Sequence, residues 1–182
     1  MKKDNFPLVV DLDLTLIKSD TLLDSVIELL SKNLFNIFRI LAWLFYGKAF
    51  LKHKLSELFP IKPENLQYRI DILEFIKKER SSGREVYLCS GANENQVKLI
   101  YDYLQCFTGY FGSSKTKNLI GINKANYLVN KFGSKKFDYI GDSLNDLPIW
   151  ENANFSYTVN LSNKTKNILL TKKIPFNEIV RN

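Results

Sequence analysis

The sequence predicts an α/β domain with a Rossmann-like parallel sheet, and two observations carry that reading. Short apolar runs alternate along the chain with segments of helical period, the pattern of βα units. The composition can fill such a core: 182 residues, 45% hydrophobic and 13% aromatic, are enough for one domain. That balance excludes global disorder, collagen-like repetition and a disulfide-stapled miniprotein.

Pro7 leads into Leu8-Val9-Val10, a compact run that reads as a buried strand ending at Asp11. A second strand is expected at Glu85-Val86-Tyr87-Leu88-Cys89, entered from the turn Ser81-Ser82-Gly83. A third is Phe137-Asp138-Tyr139-Ile140, stopped by Gly141, and a fourth Phe155 to Val159. Tyr110-Phe111 reads as an edge strand. Helices fall between them. Ile70 to Arg80 places Ile72, Phe75 and Ile76 on one stripe, and Asn95 to Gln105 does the same with Val97, Ile100, Tyr101 and Leu104. Asn123 to Lys131 is expected to be helical, with Asn123 as N-cap and Ala125, Leu128, Val129 and Phe132 on one face. The lysines Lys164, Lys166, Lys172 and Lys173 read as a solvated basic tail.

Residues 20–67 break the alternation. They are helical in pattern throughout and separate the first two strands by more than an ordinary crossover needs. The segment reads as a small all-helical cap within a single domain covering 1–182.

The net charge of +7, from 26 basic and 19 acidic residues, favours an anionic partner such as a phosphorylated metabolite, nucleic acid or an acidic membrane surface. No recognised nucleic-acid module is visible, which argues against nucleic acid. Cys89 and Cys106 have no metal-ligand spacing and read as reduced thiols of a cytoplasmic protein. The first dozen residues lack the apolar run of a signal peptide.

The chemistry-bearing residues converge on the carboxyl ends of the expected strands, where open α/β sheets bind ligands. Asp11-Leu12-Asp13-Leu14-Thr15 follows the first strand. Alternate carboxylates there can bind a divalent cation and leave an oxygen free to attack phosphorus. An Asp-x-Asp alone is equally an ordinary solvated turn, so position at a strand end carries the weight. Asp142-Ser143-Leu144-Asn145-Asp146 follows the third strand and its Gly141. Asp146 suits the first turn of a helix, as simple capping would also require. Four carboxylates at neighbouring strand ends would repel one another without a cation, and an oxygen-only donor set points to Mg²⁺. Ser90, followed by Gly91, puts a hydroxyl at the second strand's end, or simply makes a turn. Lys124, at a helix start where a cation opposes the macrodipole, is the preferred phosphate-binding lysine over Lys115 and Lys117, which lie in a polar loop.

Together these segments resemble the haloacid dehalogenase-like (HAD) superfamily of phosphohydrolases. Val9 to Thr15 is similar to its first motif, Leu88-Cys89-Ser90 to its second, Lys124 to its third and Gly141 to Asp146 to its fourth. The resemblance implies strand order 5-4-1-2-3 and a helical cap just after the first motif, near the phosphoserine-phosphatase-like branch. It implies Asp11 as nucleophile and Asp13 as acid and base, with Thr15, Ser90, Gly91 and Lys124 around the phosphoryl group. Mg²⁺ is then held by Asp11, Asp13 (through its carbonyl), Asp142 and Asp146. A carboxylate at position 13 argues against dehalogenation, whose leaving group needs no proton. Pro7 to Leu23 and Phe137 to Trp150 further resemble a phosphatase-like domain fused to membrane prenyltransferases, which makes such a transferase an expected partner and a docking module the alternative function. One departure is Leu14, where the family usually has glycine.

The cap has its own signature. From Leu29 to Ser56 there is no acidic residue, but there are Lys32, Arg39, Lys48, Lys52 and Lys54. Between Leu34 and Tyr46 only Asn36 and Arg39 are polar; at 1.5 Å per residue these thirteen span about 20 Å, short of a bilayer core. Two readings follow. Phe35, Phe38, Trp43, Leu44 and Phe45 pack inside the cap and onto the core, or they form a basic, aromatic face for an anionic membrane surface or a lipid-linked phosphate.

Overall fold

The computed structural model describes residues 6–180. Six strands form one parallel sheet: β1 (Leu8–Val10), β2 (Val86–Asn93), β3 (Gly109–Ser113), β4 (Asp138–Gly141), β5 (Ser156–Val159) and β6 (Phe176–Val180). Their order is β3-β2-β1-β4-β5-β6, the expected five plus one further strand beside β5. β1 is central and pairs with both β2 and β4, so Val10 lies level with Leu88 and Ile140.

Eight α-helices accompany them among the described residues: α1 (Thr21–Lys32), α2 (Asn36–Phe45), α3 (Lys48–Leu58), α4 (Ile70–Ser81), α5 (Glu94–Leu104), α6 (Ile122–Phe132), α7 (Leu147–Trp150) and α8 (Asn163–Thr171). Side-chain alternation in the strands divides the core. Leu8, Val10 and Leu88 pack with Ile72 and Ile76 of α4 and Val97 and Ile100 of α5. Val9, Cys89 and Tyr139 face the other way, against Ala125 and Leu128 of α6, Trp150 of α7 and Leu169 of α8. Helices thus cover both faces, as a parallel sheet requires.

Helices α1 to α3 form an insertion whose entry and exit are laced together. Ile17 and Tyr68 make an antiparallel bridge, Lys18 N donates to Gln67 O at 2.9 Å, and Arg69 N donates to Leu16 O at 2.9 Å. The Asp20 carboxylate caps α1 by accepting from Leu22 N and Leu23 N. Leu29, Ile40, Leu51, Leu55 and Phe59 make a small separate core, with Trp43 packed against it.

Three expectations need correction. β2 runs on to Asn93 with a register shift after Cys89, so Ser90 and Gly91 lie within the extended segment instead of opening a turn. The basic tail holds α8 and β6, because Leu169 of α8 and Phe176 of β6 find cover against the sheet that their polar neighbours conceal. Asn123 is not the cap of α6; Gly121, at φ 54°, occupies that place and Asn123 lies in the first turn.

Candidate active site

The carboxyl ends of β1, β2 and β4 and the N-terminus of α1 border a cavity of about 230 Å³. Asp11, Asp13, Asp20, Lys52, Gly91, Lys124, Asp142 and Asp146 line it. Asp11 leaves the tip of β1, its N–H donating to Ile140 O at 3.0 Å, which ties it to β4. Lys124 reaches in from α6, fully within the fold, and Nζ donates to Asp11 Oδ1 at 2.8 Å and to the Tyr139 hydroxyl at 3.0 Å. Burial alone would lower the Lys124 pKa, but the negative charges of Asp11 and Asp146 outweigh it and hold the ammonium above its ordinary value.

The backbone turns sharply after Asp11. Leu14 sits at φ 58°, a left-handed conformation that suits glycine, which explains the residue usual at this place in the resembling family. The turn sends Asp13 towards α1, where Oδ1 accepts from Thr21 N at 2.8 Å, and towards β2, where Oδ2 accepts from Ser90 Oγ at 3.3 Å. Burial pushes the Asp13 carboxyl up to about 6; the Thr21 N–H opposes this and the Asp11 charge adds to it.

After β4, Asp142 projects into the cavity. Burial first, then the charges of Asp146 and Asp11, push its carboxyl up to about 8. Asp146 lies in a single helical turn before α7 and is fastened on both oxygens. Oδ1 accepts from the Tyr139 hydroxyl at 2.8 Å; Oδ2 accepts from Asp142 N at 3.1 Å and Ser143 N at 3.3 Å. Gly141 is required beside it, since a Cβ there would stand 2.5 Å from Asp146 Oδ2.

Carboxylate oxygens of Asp11, Asp142 and Asp146 lie within 4.8 Å of one another. Among the described residues no hydrogen bond falls on Asp11 Oδ2 or Asp142 Oδ2, whereas both oxygens of Asp146 are engaged. The set therefore fits a hard divalent cation taken by two carboxylates, with Asp146 orienting the shell.

The structure thus brings together Asp11, Asp13, Gly91, Lys124, Asp142 and Asp146. Thr15 and Ser90 are buried beneath the cavity lining, where each hydroxyl serves a carboxylate. Thr15 Oγ1 donates to Asp142 Oδ1 at 3.3 Å, and Ser90 Oγ donates to Asp13 while accepting from Ala92 N at 2.9 Å. Lys115 and Lys117 do not line the cavity; they lie over the rings of Phe50 and Tyr127.

Sequence reasoning missed two residues. Tyr139 enters the sequence reading only as part of the third strand; its ring is buried, but its hydroxyl links Lys124 to Asp146. Lys52 was counted with the surplus bases of the cap. It turns inward from α3 and Nζ donates to Gly91 O at 2.6 Å and Asn118 Oδ1 at 3.1 Å, joining the insertion to the sheet. Its position beside the apolar stripe of Leu51 and Leu55 was the available signal.

No protein-family model matches the chain. An uncharacterized protein of Sinorhizobium fredii, y4nM, is 38% identical over 147 residues, covering 81% of this chain and 28% of the relative. The chain therefore spans little more than a quarter of the curated relative it matches. Among solved structures, a HAD family hydrolase from Salmonella enterica serovar Typhi aligns with a TM-score of 0.66 at 16% identity, over 98% of this chain and 67% of that one. Phosphoserine phosphatase in its apo form aligns with a TM-score of 0.63 at 14% identity, over 94% and 92%. Nothing in these comparisons links the chain to a membrane prenyltransferase. The chain has the fold of haloacid dehalogenase-like hydrolases, phosphoserine phosphatase among them.

Proposed function

We propose that the protein is a Mg²⁺-dependent phosphomonoesterase that works through an aspartyl-phosphate on Asp11. The observation that carries this is the pairing of Asp11 Oδ1 with Lys124 beside Asp142 and Asp146, which leaves Asp11 Oδ2 free as a nucleophile. Asp142 and Asp11, the latter through the oxygen it does not use for attack, would hold Mg²⁺, which would supply positive charge against the phosphoryl group.

The chain's own residues account for the rest. Asp11 Oδ2 attacks phosphorus as the ester P–O bond breaks. Asp13, with a pKa near 6, is partly protonated near neutrality and gives its proton to the departing oxygen. It then takes a proton from the water that attacks the phosphoryl group, the P–O bond to Asp11 breaks, and inorganic phosphate leaves. Lys124 and Lys52 bring positive charge to the phosphoryl oxygens within the cavity. The helical insertion acts as a cap that screens the site, and its α1 N–H at Thr21 holds the acid in place. The substrate class is a small phosphorylated metabolite or a lipid-linked phosphate.

Phosphate release from a panel of phosphomonoesters, including small sugar phosphates and polyprenyl phosphates, tests the reading. Turnover that depends on Mg²⁺ and disappears in Asp11→Asn supports it; unchanged turnover in Asp11→Asn overturns it. The alternative of a non-catalytic docking module leaves the convergent carboxylates and lysine without a role.

A further inference from the structure

The aromatic residues of α2 do not pack into the core. Phe35, Phe38 and Phe45 are 76%, 67% and 88% exposed, and Leu34, Leu41 and Tyr46 are exposed with them. Of Phe35, Phe38, Trp43, Leu44 and Phe45, the residues expected to pack inside the cap, only Trp43 does, beside the buried Ile40; Leu44 is exposed with the phenylalanines. The reason is geometric. A helix apolar nearly all round can press only one stripe against α1 and α3, and the rest must face outward.

The surface continues beyond α2. The Phe45 ring meets Tyr46 edge-on at 5.8 Å, and Tyr46 lies 5.2 Å from Phe50 of α3. Cations stand along it. Arg39 lies over Trp43, Lys54 and Lys115 stand over Phe50 at 5.9 and 5.6 Å, and Lys48 is exposed at the start of α3. No acidic residue occurs between Leu29 and Ser56; Glu57 of α3 pairs with Lys54 at 2.8 Å, which leaves Arg39, Lys48 and Lys115 as the cations of the border without an ion pair among the described residues. An apolar face this large on a protein surface marks a docking site, and its basic border states the charge of the occupant.

We propose that α2 and the start of α3 form an interfacial anchor that seats the protein on an anionic lipid bilayer. Exposed Phe, Leu and Tyr enter the headgroup boundary while Arg39, Lys48 and Lys115 meet lipid phosphates. The contact is peripheral: among the described residues no helix is long and apolar enough to cross a membrane. A second copy of this chain would gain little from that border, since it would bring like charges together.

Flotation of the full chain with phosphatidylcholine vesicles, with and without phosphatidylserine, tests this. The protein is expected to rise with phosphatidylserine vesicles and remain below with phosphatidylcholine alone. Phe38→Ser/Phe45→Ser and, separately, Arg39→Glu/Lys48→Glu are each expected to cut the floated fraction at least tenfold, with unchanged circular dichroism. All four side chains are exposed, so folding does not depend on them. Wild-type protein that stays below with phosphatidylserine vesicles overturns the proposal, and so does equal flotation of the Phe variant. A dimer in light scattering that Phe38→Ser/Phe45→Ser dissolves, without flotation, assigns the face to a second copy instead. None of these readouts depends on turnover, so the anchor stands or falls apart from the proposed phosphatase activity.

Discussion

The Tyr139 hydroxyl donates to Asp146 Oδ1 at 2.8 Å while accepting from Lys124 at 3.0 Å. One buried oxygen thereby sets the distance between the lysine on Asp11 and the carboxylate that orients the Asp142 loop. Its own proton is held firmly, because burial foremost keeps the phenol far above its ordinary pKa. Tyr139→Phe keeps the ring packing and deletes only this link. The expected result is a folded protein whose phosphatase rate falls roughly tenfold to a hundredfold, as for loss of a hydrogen bond to a charged group of about 1.5–3 kcal/mol. Steady-state kinetics beside a thermal melt would separate that from a stability effect, and wild-type kinetics would contradict it.

Gly141→Ala tests the packing beneath the same carboxylate. The added methyl would press on Asp146 Oδ2 and on the Tyr139 ring, 2.7 Å away. Asp146 must shift, and its bonds to the Asp142 and Ser143 amides must loosen. Mg²⁺ affinity, read from isothermal titration, is expected to drop by about 10- to 100-fold, the usual result of disturbing a group that orients a metal ligand.

Asp13→Asn separates proton transfer from cation binding. The Asp13 carboxylate is not among the oxygens that cluster at the candidate metal position. Mg²⁺ binding should therefore persist while turnover falls by about 10²- to 10⁴-fold, the range for a positioned acid or base. Loss of Mg²⁺ binding together with activity would show that the side chain does more than carry a proton.

The pH dependence of stability should depend on the cation. Asp13 and Asp142 titrate near 6 and 8 in the fold, against 3.8 when unperturbed, so between about pH 4 and 8 the folded chain binds more protons than the unfolded one. Stability without a divalent cation then falls as pH rises through that window and levels off above it. Saturating Mg²⁺ supplies the missing positive charge, so its gain in Tm should be larger at pH 8 than at pH 5. Melting curves in EDTA and in Mg²⁺ at the two pH values measure this; an equal gain at both would contradict it.

Much of this site was legible before any coordinates, for a physical reason. A buried strand of three apolar residues followed by Asp11-Leu12-Asp13 places its carboxylates at the carboxyl end of the sheet, and the run from Phe137 to Asp142 does likewise. Strand ends are local features, so Asp11, Asp13, Asp142 and Asp146 could be named from spacing. Lys124 could be preferred over Lys115 and Lys117 as well, because a cation at a helix start opposes the macrodipole and so points to a role elsewhere.

What the sequence determined by itself was the alternation of strands and helices, the acidic strand ends and the insertion after the first strand. The tertiary structure alone decided which atoms meet. It brought Lys124 onto Asp11 across 113 positions and turned Lys52 inward to Gly91. It made Tyr139 a polar link, although an aromatic in a buried strand reads as packing. It also left the phenylalanines of α2 outside. Periodicity reports that a helix is apolar; which stripe is covered depends on the shape of what it meets.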